Sequence, residues 1–169
     1  MKIRQSTKSN LVSIMQIIAD AQSYLANLNI DQWQDGYPTE EQFAIDIKNN
    51  DSYIIVDDED TTIGTAMFST KGEPTYRQIE GEWLTKKDAV YGVIHRLAVA
   101  NKYRSSGIAK FVFDYCENEL NTNGINSMRI DTHKDNLGMQ KILKNRSYHY
   151  CGVITLTSGA KRLAYEKLI

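Results

Sequence analysis

The stretch that most restricts what this chain can become is Val90 to Asn121, "VYGVIHRLAVANKYRSSGIAKFVFDYCENELN". Its first third is aliphatic and β-branched and reads as a strand, and its last part carries apolar residues at helical spacing. Between them lies "NKYRSSGIAK", residues 101–110, which is basic and serine-rich. A strand that passes through a short loop straight into a helix presents the helix's first N–H groups, at the positive end of its dipole, beside the strand's end. That arrangement suits a phosphate. Gly107 lets an anion approach the backbone, Ser105 and Ser106 add hydroxyl donors, and Arg104 and Lys110 add charge. The Walker pattern GxxxxGK(S/T) is absent, and only one of the three glycines of a dinucleotide fingerprint is present. An ordinary capped turn is the competing reading.

The remaining elements follow from periodicity. "MKIRQ" reads as a strand, and Leu11, Ile14, Met15, Ile18, Ala21, Leu25 and Leu28 mark an amphipathic helix between Ser9 and Asn29. Thr39 and Gln42 have capping-box spacing for a second helix. "SYIIVDD" and "TTIGTAMFST" form a hairpin about Asp58 to Asp60, while 71–88 shows no steady period and reads as a loop or a short irregular strand. "GIAKFVFDYCENELN" is a helix closed by Gly124, "NSMRIDT" a strand and "NLGMQKILKNR" a helix. "YCGVITLT" and "KRLAYEKLI" form a last pair about Ser158 and Gly159. The expected fold is α/β (α+β), a mixed sheet covered by helices with a strand-helix-strand unit at its middle.

Composition narrows the setting. A chain of 169 residues suits one compact domain, 1–169. With 20 Lys plus Arg against 21 Asp plus Glu, no overall field draws nucleic acid or anionic lipid, so any anion site is local. Cys116 and Cys151 lack CxxC spacing and zinc-ligand neighbours, which fits a reducing interior and no metal. The apolar residues of "MKIRQSTKSNLVSIMQ" are interrupted by Ser and Gln, unlike a signal peptide, and no window approaches the roughly 18 to 20 apolar residues of a span. A soluble, cytoplasmic protein with no membrane partner is expected.

The segment "HRLAVANKYRSSGIAKFVFDYCENE" resembles the acyl-coenzyme-A motif of the GNAT N-acetyltransferase superfamily, Arg/Gln-x-x-Gly-x-Gly/Ala after a Leu-x-Val strand end. "RIDTHKDNLGMQKILKNRSYHYCG" resembles the family's next strand, helix and strand, so the resemblance covers nearly the whole chain. It implies a mostly antiparallel sheet of about seven strands flanked by about four helices, and transfer of an acetyl group from acetyl-CoA to a primary amine of a small molecule or a peptide. Arg104, Ser105, Ser106, Gly107, Ile108, Ala109 and Lys110 would hold the coenzyme pyrophosphate, mostly by main-chain N–H groups. The backbones of Leu97, Ala98 and Val99 would pair with the pantetheine and offer an oxyanion donor, with Leu97 and Val99 as core side chains. Asn136 stands where the family contacts the pantetheine arm, and it also suits a helix N-cap. Family members are often dimers that pair through their C-terminal strands, so a homodimer is implied.

Proton transfer is less determined. Alternation places Tyr91, Val93, His95, Leu97 and Val99 on one face of the strand. His95 is therefore a candidate general base, or else a histidine satisfied within the sheet. His133 is a second candidate, or a loop histidine, and His149 reads as structural. Where the family often has a tyrosine acid, seven residues after the asparagine, this chain has Leu143, and the usual Gly-Phe is replaced by Ser147 and Tyr148.

The family's acceptor loop corresponds to "NIDQWQDGYP". Trp33 and Tyr37 would meet the substrate, their rings and the nearby carboxylates suiting a cationic amine, unless Trp33 packs on a helix. Glu82 and Tyr91, just before the long strand, are further candidates, or a charged loop edge. A non-catalytic acyl-CoA sensor and a nucleotide-binding α/β protein are the alternatives.

Overall fold

The computed structural model describes residues 1–169. Its elements are β1 (Lys2–Gln5), α1 (Leu11–Asn27), α2 (Glu40–Lys48), β2 (Ser52–Val56), β3 (Thr62–Ser69), β4 (Ile79–Gly81), β5 (Gly92–Val99), α3 (Ile108–Thr122), β6 (Ser127–Thr132), α4 (Leu137–Asn145), β7 (His149–Thr155) and β8 (Lys161–Leu168). The strands form one sheet in the order β1-β2-β3-β5-β6-β8-β7-β4. β5 and β6 run parallel, while β1–β2, β2–β3, β6–β8, β7–β8 and β4–β7 are antiparallel. The eighth strand is β4, three residues inside the segment without a period, where too short a run exists to show alternation. No helix is long and apolar enough to cross a membrane.

The chain divides into two compact units, one of Met1–Phe68 with Ile94–Asp114 and one of Ser69–Val93 with Tyr115–Ile169. In the first, α1 buries Ile14, Ile17, Ile18 and Ala21 against Phe43, Ile54, Val56 and Ala98. The three- and four-residue spacing puts these side chains on one helical stripe. α2 begins where Thr39 Oγ1 accepts the Gln42 N–H at 3.2 Å, with Glu40 and Glu41 in the first turn and Lys48 in the last, each favourable to the helix dipole.

In the second unit, Tyr76, Tyr91, Val93, Ile154 and Ala164 form a core. β4 lies against β7 with Gly81 facing Gly152, both at a φ of 141°. A methyl group on Gly81 would run into the Cys151 carbonyl, and one on Gly152 into the Glu80 carbonyl, so only glycine fits at either place. α3 ends before Gly124, where Ile125 N–H returns to the Leu120 carbonyl at 2.9 Å.

β5 departs from simple alternation. Arg96 has a φ of 51°, a left-handed conformation inside a strand. Up to Ile94 the strand is buried; beyond the turn-out Arg96 and Ala98 are buried while Leu97 and Val99 are half-buried. The expectation of Leu97 and Val99 as core side chains on a face shared with Tyr91 and Val93 is therefore corrected: Ala98 is the one that joins the core. From Ile94 to Val99 burial alternates regularly, and the even-numbered residues are the buried set.

Candidate active site

At the end of β5 the Ala100 N–H still bonds to Ile63 at 3.0 Å, and then the chain turns through Asn101–Tyr103. Ser105 and Gly107 take left-handed φ values of 62° and 86°, and the Phe111 N–H meets the Gly107 carbonyl at 3.0 Å to open α3. The loop is anchored by Tyr103, whose hydroxyl donates to Asp57 Oδ2 at 3.1 Å. The Ser106 N–H and hydroxyl both donate to the Tyr103 carbonyl, so that hydroxyl is turned into the loop.

The N–H groups of Gly107, Ile108, Ala109 and Lys110 meet no acceptor in the protein, as the first turn of a helix requires. A Cβ on Gly107 would find no atom within 4 Å, so space is open at these donors. Donors and space together fit a diphosphate. The Arg104 guanidinium carbon lies 3.2 Å from the Tyr24 ring centroid, and its buried Nε has no hydrogen-bond partner. The Lys110 ammonium pairs with Asp114 at 2.6 Å on the surface.

The ladder between β5 and β6 is two residues long, Gly92 to Met128 and Val93 to Arg129. It does not extend along Ile94 to Val99, the part of the strand that carries His95, Leu97, Ala98 and Val99. His95 is half-buried and immediately precedes the left-handed Arg96. Arg96 is held there by Asp46, whose Oδ2 takes Nε and Nη2 at 2.8 Å each, while Gln42 Nε2 donates to Oδ1 at 3.1 Å. Burial pushes the Asp46 carboxyl above the usual carboxylate range, against the pull of Arg96 and Gln42. Arg96 Nη1 donates to the Tyr37 hydroxyl, which ties this residue of the segment before α2 to the strand. Trp33, at a φ of 65°, packs against the core of the first unit.

The other named residues lie in the second unit. Asn136 caps α4, its Oδ1 accepting the Met139 N–H at 3.0 Å. His133 Nδ1 accepts the Asp135 N–H at 3.2 Å. A neutral imidazole has one ring lone pair, and here it is engaged. Leu143 is fully buried. Burial, and then the neighbouring Glu117, push the Tyr148 hydroxyl far above its ordinary value, making it a poor acid.

Tyr91 accepts the Glu73 N–H at 3.0 Å and its ring stacks on Tyr76 at 6.1 Å. Glu82 is exposed, and its N–H bonds to the Cys151 carbonyl at 3.0 Å. Tyr91 and Glu82 line a common cavity with Arg129, a residue that the sequence reading did not single out. Arg129 sits directly across from Glu166 in the β6–β8 register, with Nε 3.0 Å from Oε1. An arginine inside the apolar run "SMRID" was the signal available.

The Acetyltransferase (GNAT) family profile matches residues 15–148. A GNAT-family acetyltransferase from Streptococcus agalactiae is 32% identical over 99% of this chain and 95% of its own, with a TM-score of 0.86. Fold likeness extends to a ribosomal-protein-alanine N-acetyltransferase from Brucella melitensis, at 14% identity, full coverage of both chains and a TM-score of 0.70. It extends also to a phosphinothricin acetyltransferase from Sinorhizobium meliloti in complex with AcCoA, at 14% identity over 99% of this chain and 88% of that one, with a TM-score of 0.69. No curated protein matches the chain. A helix whose first amides stand free beside a strand end, in a chain that this family's profile spans for most of its length, makes the protein a member of the GNAT acetyltransferase family, an acyltransferase that uses acetyl-CoA.

Proposed function

We propose that the enzyme acetylates a primary amine, on a small molecule or at a peptide terminus or lysine, by direct attack of the amine on the thioester. The observation that carries this reading is the set of unengaged amides from Gly107 to Lys110 facing open space at the start of α3. These amides would hold the coenzyme diphosphate, with the Arg104 side chain beside them. Acetyl-CoA supplies the activated acyl group. The free edge of β5 would align the arm, and an N–H between Leu97 and Val99 would meet the developing oxyanion.

His95 would accept the proton that an ammonium must lose before it attacks. It is preferred to His133 because it stands on β5, the strand that leads into the loop with the unengaged amides.

Gly107→Asp tests the loop. The open space means that no protein atom opposes the new side chain, so the fold loses only the cost of a left-handed non-glycine residue, about 1 kcal/mol. Acetyl-CoA binding measured by calorimetry should vanish while cooperative unfolding persists; unchanged affinity would refute the assignment. His95→Ala should lower kcat more than it raises the KM for acetyl-CoA and remove an ionisation from the pH-rate profile. Thiol release across a panel of amines identifies the acceptor, and binding without release for all of them would point to a sensor instead.

A further inference from the structure

We propose that the cavity of the second unit binds a small organic carboxylate. The cavity has a volume of about 440 Å³ and is lined by residues of the segment 76–91 together with Arg129. Pockets of this size accept small organic molecules.

Arg129 is 2% exposed, yet its guanidinium is only partly used by the protein. Nε goes to Glu166 and Nη2 to Thr85 Oγ1 at 2.8 Å and the Lys86 carbonyl at 3.5 Å. Nη1 meets no protein acceptor, and the residue lines the cavity. Nη1 is therefore the guanidinium nitrogen left to a ligand in the cavity, and a guanidinium N–H open to a cavity is a charge-assisted donor for an anion.

The rest of the lining agrees in sign. Arg77, Lys86 and Lys87 are exposed cations on the cavity wall without an ion-pair partner, against one acid, Glu82. Glu80, the neighbouring acid, is already paired with Lys161 at 2.9 Å. The aromatic faces that would attract an ammonium are occupied: the Arg129 guanidinium carbon lies 4.1 Å from the Tyr91 centroid and 4.5 Å from that of Trp83. A cationic ligand would meet repulsion and find no ring face free. Tyr76, Ile79 and Trp83 supply apolar wall, which an inorganic anion would leave uncovered and an organic acid would use.

The test uses the full chain and three probes: 4-phenylbutyrate, 4-phenylbutylamine of the same shape with the opposite charge, and inorganic phosphate. Calorimetry at low ionic strength should show 4-phenylbutyrate binding at least about tenfold more tightly than either of the others, with affinity falling as salt is added. Replacing Lys86 and Lys87 by Glu together, two exposed positions, should weaken that binding by about tenfold or more while leaving the unfolding midpoint in place. Arg77→Glu should act in the same direction. No binding of 4-phenylbutyrate, equal binding of the amine or of phosphate, or an affinity indifferent to the charge reversals would overturn the proposal.

A final arm asks where the carboxylate resides in the cell's chemistry. With acetyl-CoA present, thiol release on adding 5-aminovalerate marks the site as holding an acceptor that carries both groups; binding without release marks a separate effector. Either outcome upholds the site, and neither depends on Gly107→Asp, so failure here is distinguishable from failure of the acyl-transfer reading.

Discussion

Each unit of the protein buries one arginine against one carboxylate, and the two pairs behave in opposite ways. In the first, the side chains of Arg96 and Asp46 are 7% and 5% exposed; in the second, those of Arg129 and Glu166 are 2% and 0% exposed. Burial opposes the charged state at both carboxyls. Burial is indeed the largest influence on Glu166, yet Ser127, Thr85 and Arg129 together outweigh it and hold the carboxyl below its usual range. On Asp46 burial wins. The difference lies in the donors. Glu166 receives the Ser127 and Thr85 hydroxyls, the Leu84 and Thr85 N–H groups and Arg129 Nε, whereas Asp46 receives Arg96 and Gln42. A desolvated carboxylate stays charged when enough dipoles converge on it, and one guanidinium and one amide fall short.

Removing the cations should break the comparison most visibly. Arg129→Leu leaves a buried charge wrapped in donors and should cost about 3 to 5 kcal/mol of stability by denaturant unfolding. Arg96→Leu should cost less, about 1 to 3 kcal/mol, because Asp46 can take up a proton and become neutral. Equal losses would mean that the number of converging donors does not separate the two pairs.

Acid should sharpen it. A carboxyl whose value is lowered on folding contributes stability that is present above the ordinary glutamate value and is lost as the pH falls through its own lower value. A carboxyl whose value is raised is protonated more readily in the folded chain, so stability rises as the pH falls through its own value, until the ordinary aspartate value is passed. The stability difference between the wild type and Glu166→Gln should therefore shrink on acidification, while that between the wild type and Asp46→Asn should move the other way across the range just above the ordinary aspartate value. Slopes of the same sign for the two variants would contradict the assigned directions. The smallest effect belongs to Tyr37→Phe, which removes an acceptor from Arg96 Nη1 and should cost about 0.5 to 1.5 kcal/mol.

Where sequence reading succeeded, the signal was a long period or a punctuating residue. α1, α3 with Gly124, the hairpin at Asp58 to Asp60 and the strand-helix-strand unit of β5, α3 and β6 all had one. β4 had none, since three residues ending in Gly81 carry no alternation. The left-handed Arg96 was hidden for a different reason: its conformation is held by Asp46, fifty positions away in the chain, and arginine has no local preference for it. The loop 104–110 was legible because its donors belong to the backbone and follow from element order. The Arg129 cluster was not, because it depends on the register that sets Arg129 opposite Glu166 and on Thr85, which comes from a segment without a period.

The paired glycines of β4 and β7 carry a consequence for how this protein can vary. At most sites a bulky neighbour can be accommodated by trimming its partner, so pairs of changes open routes that single changes close. Gly81 and Gly152 allow no such exchange, since each is confronted by main chain and neither has anything left to trim. A saturation library selected for folding would return glycine at both codons, independently of each other, and the wall that carries Trp83 and the cations above it would be inherited at fixed spacing.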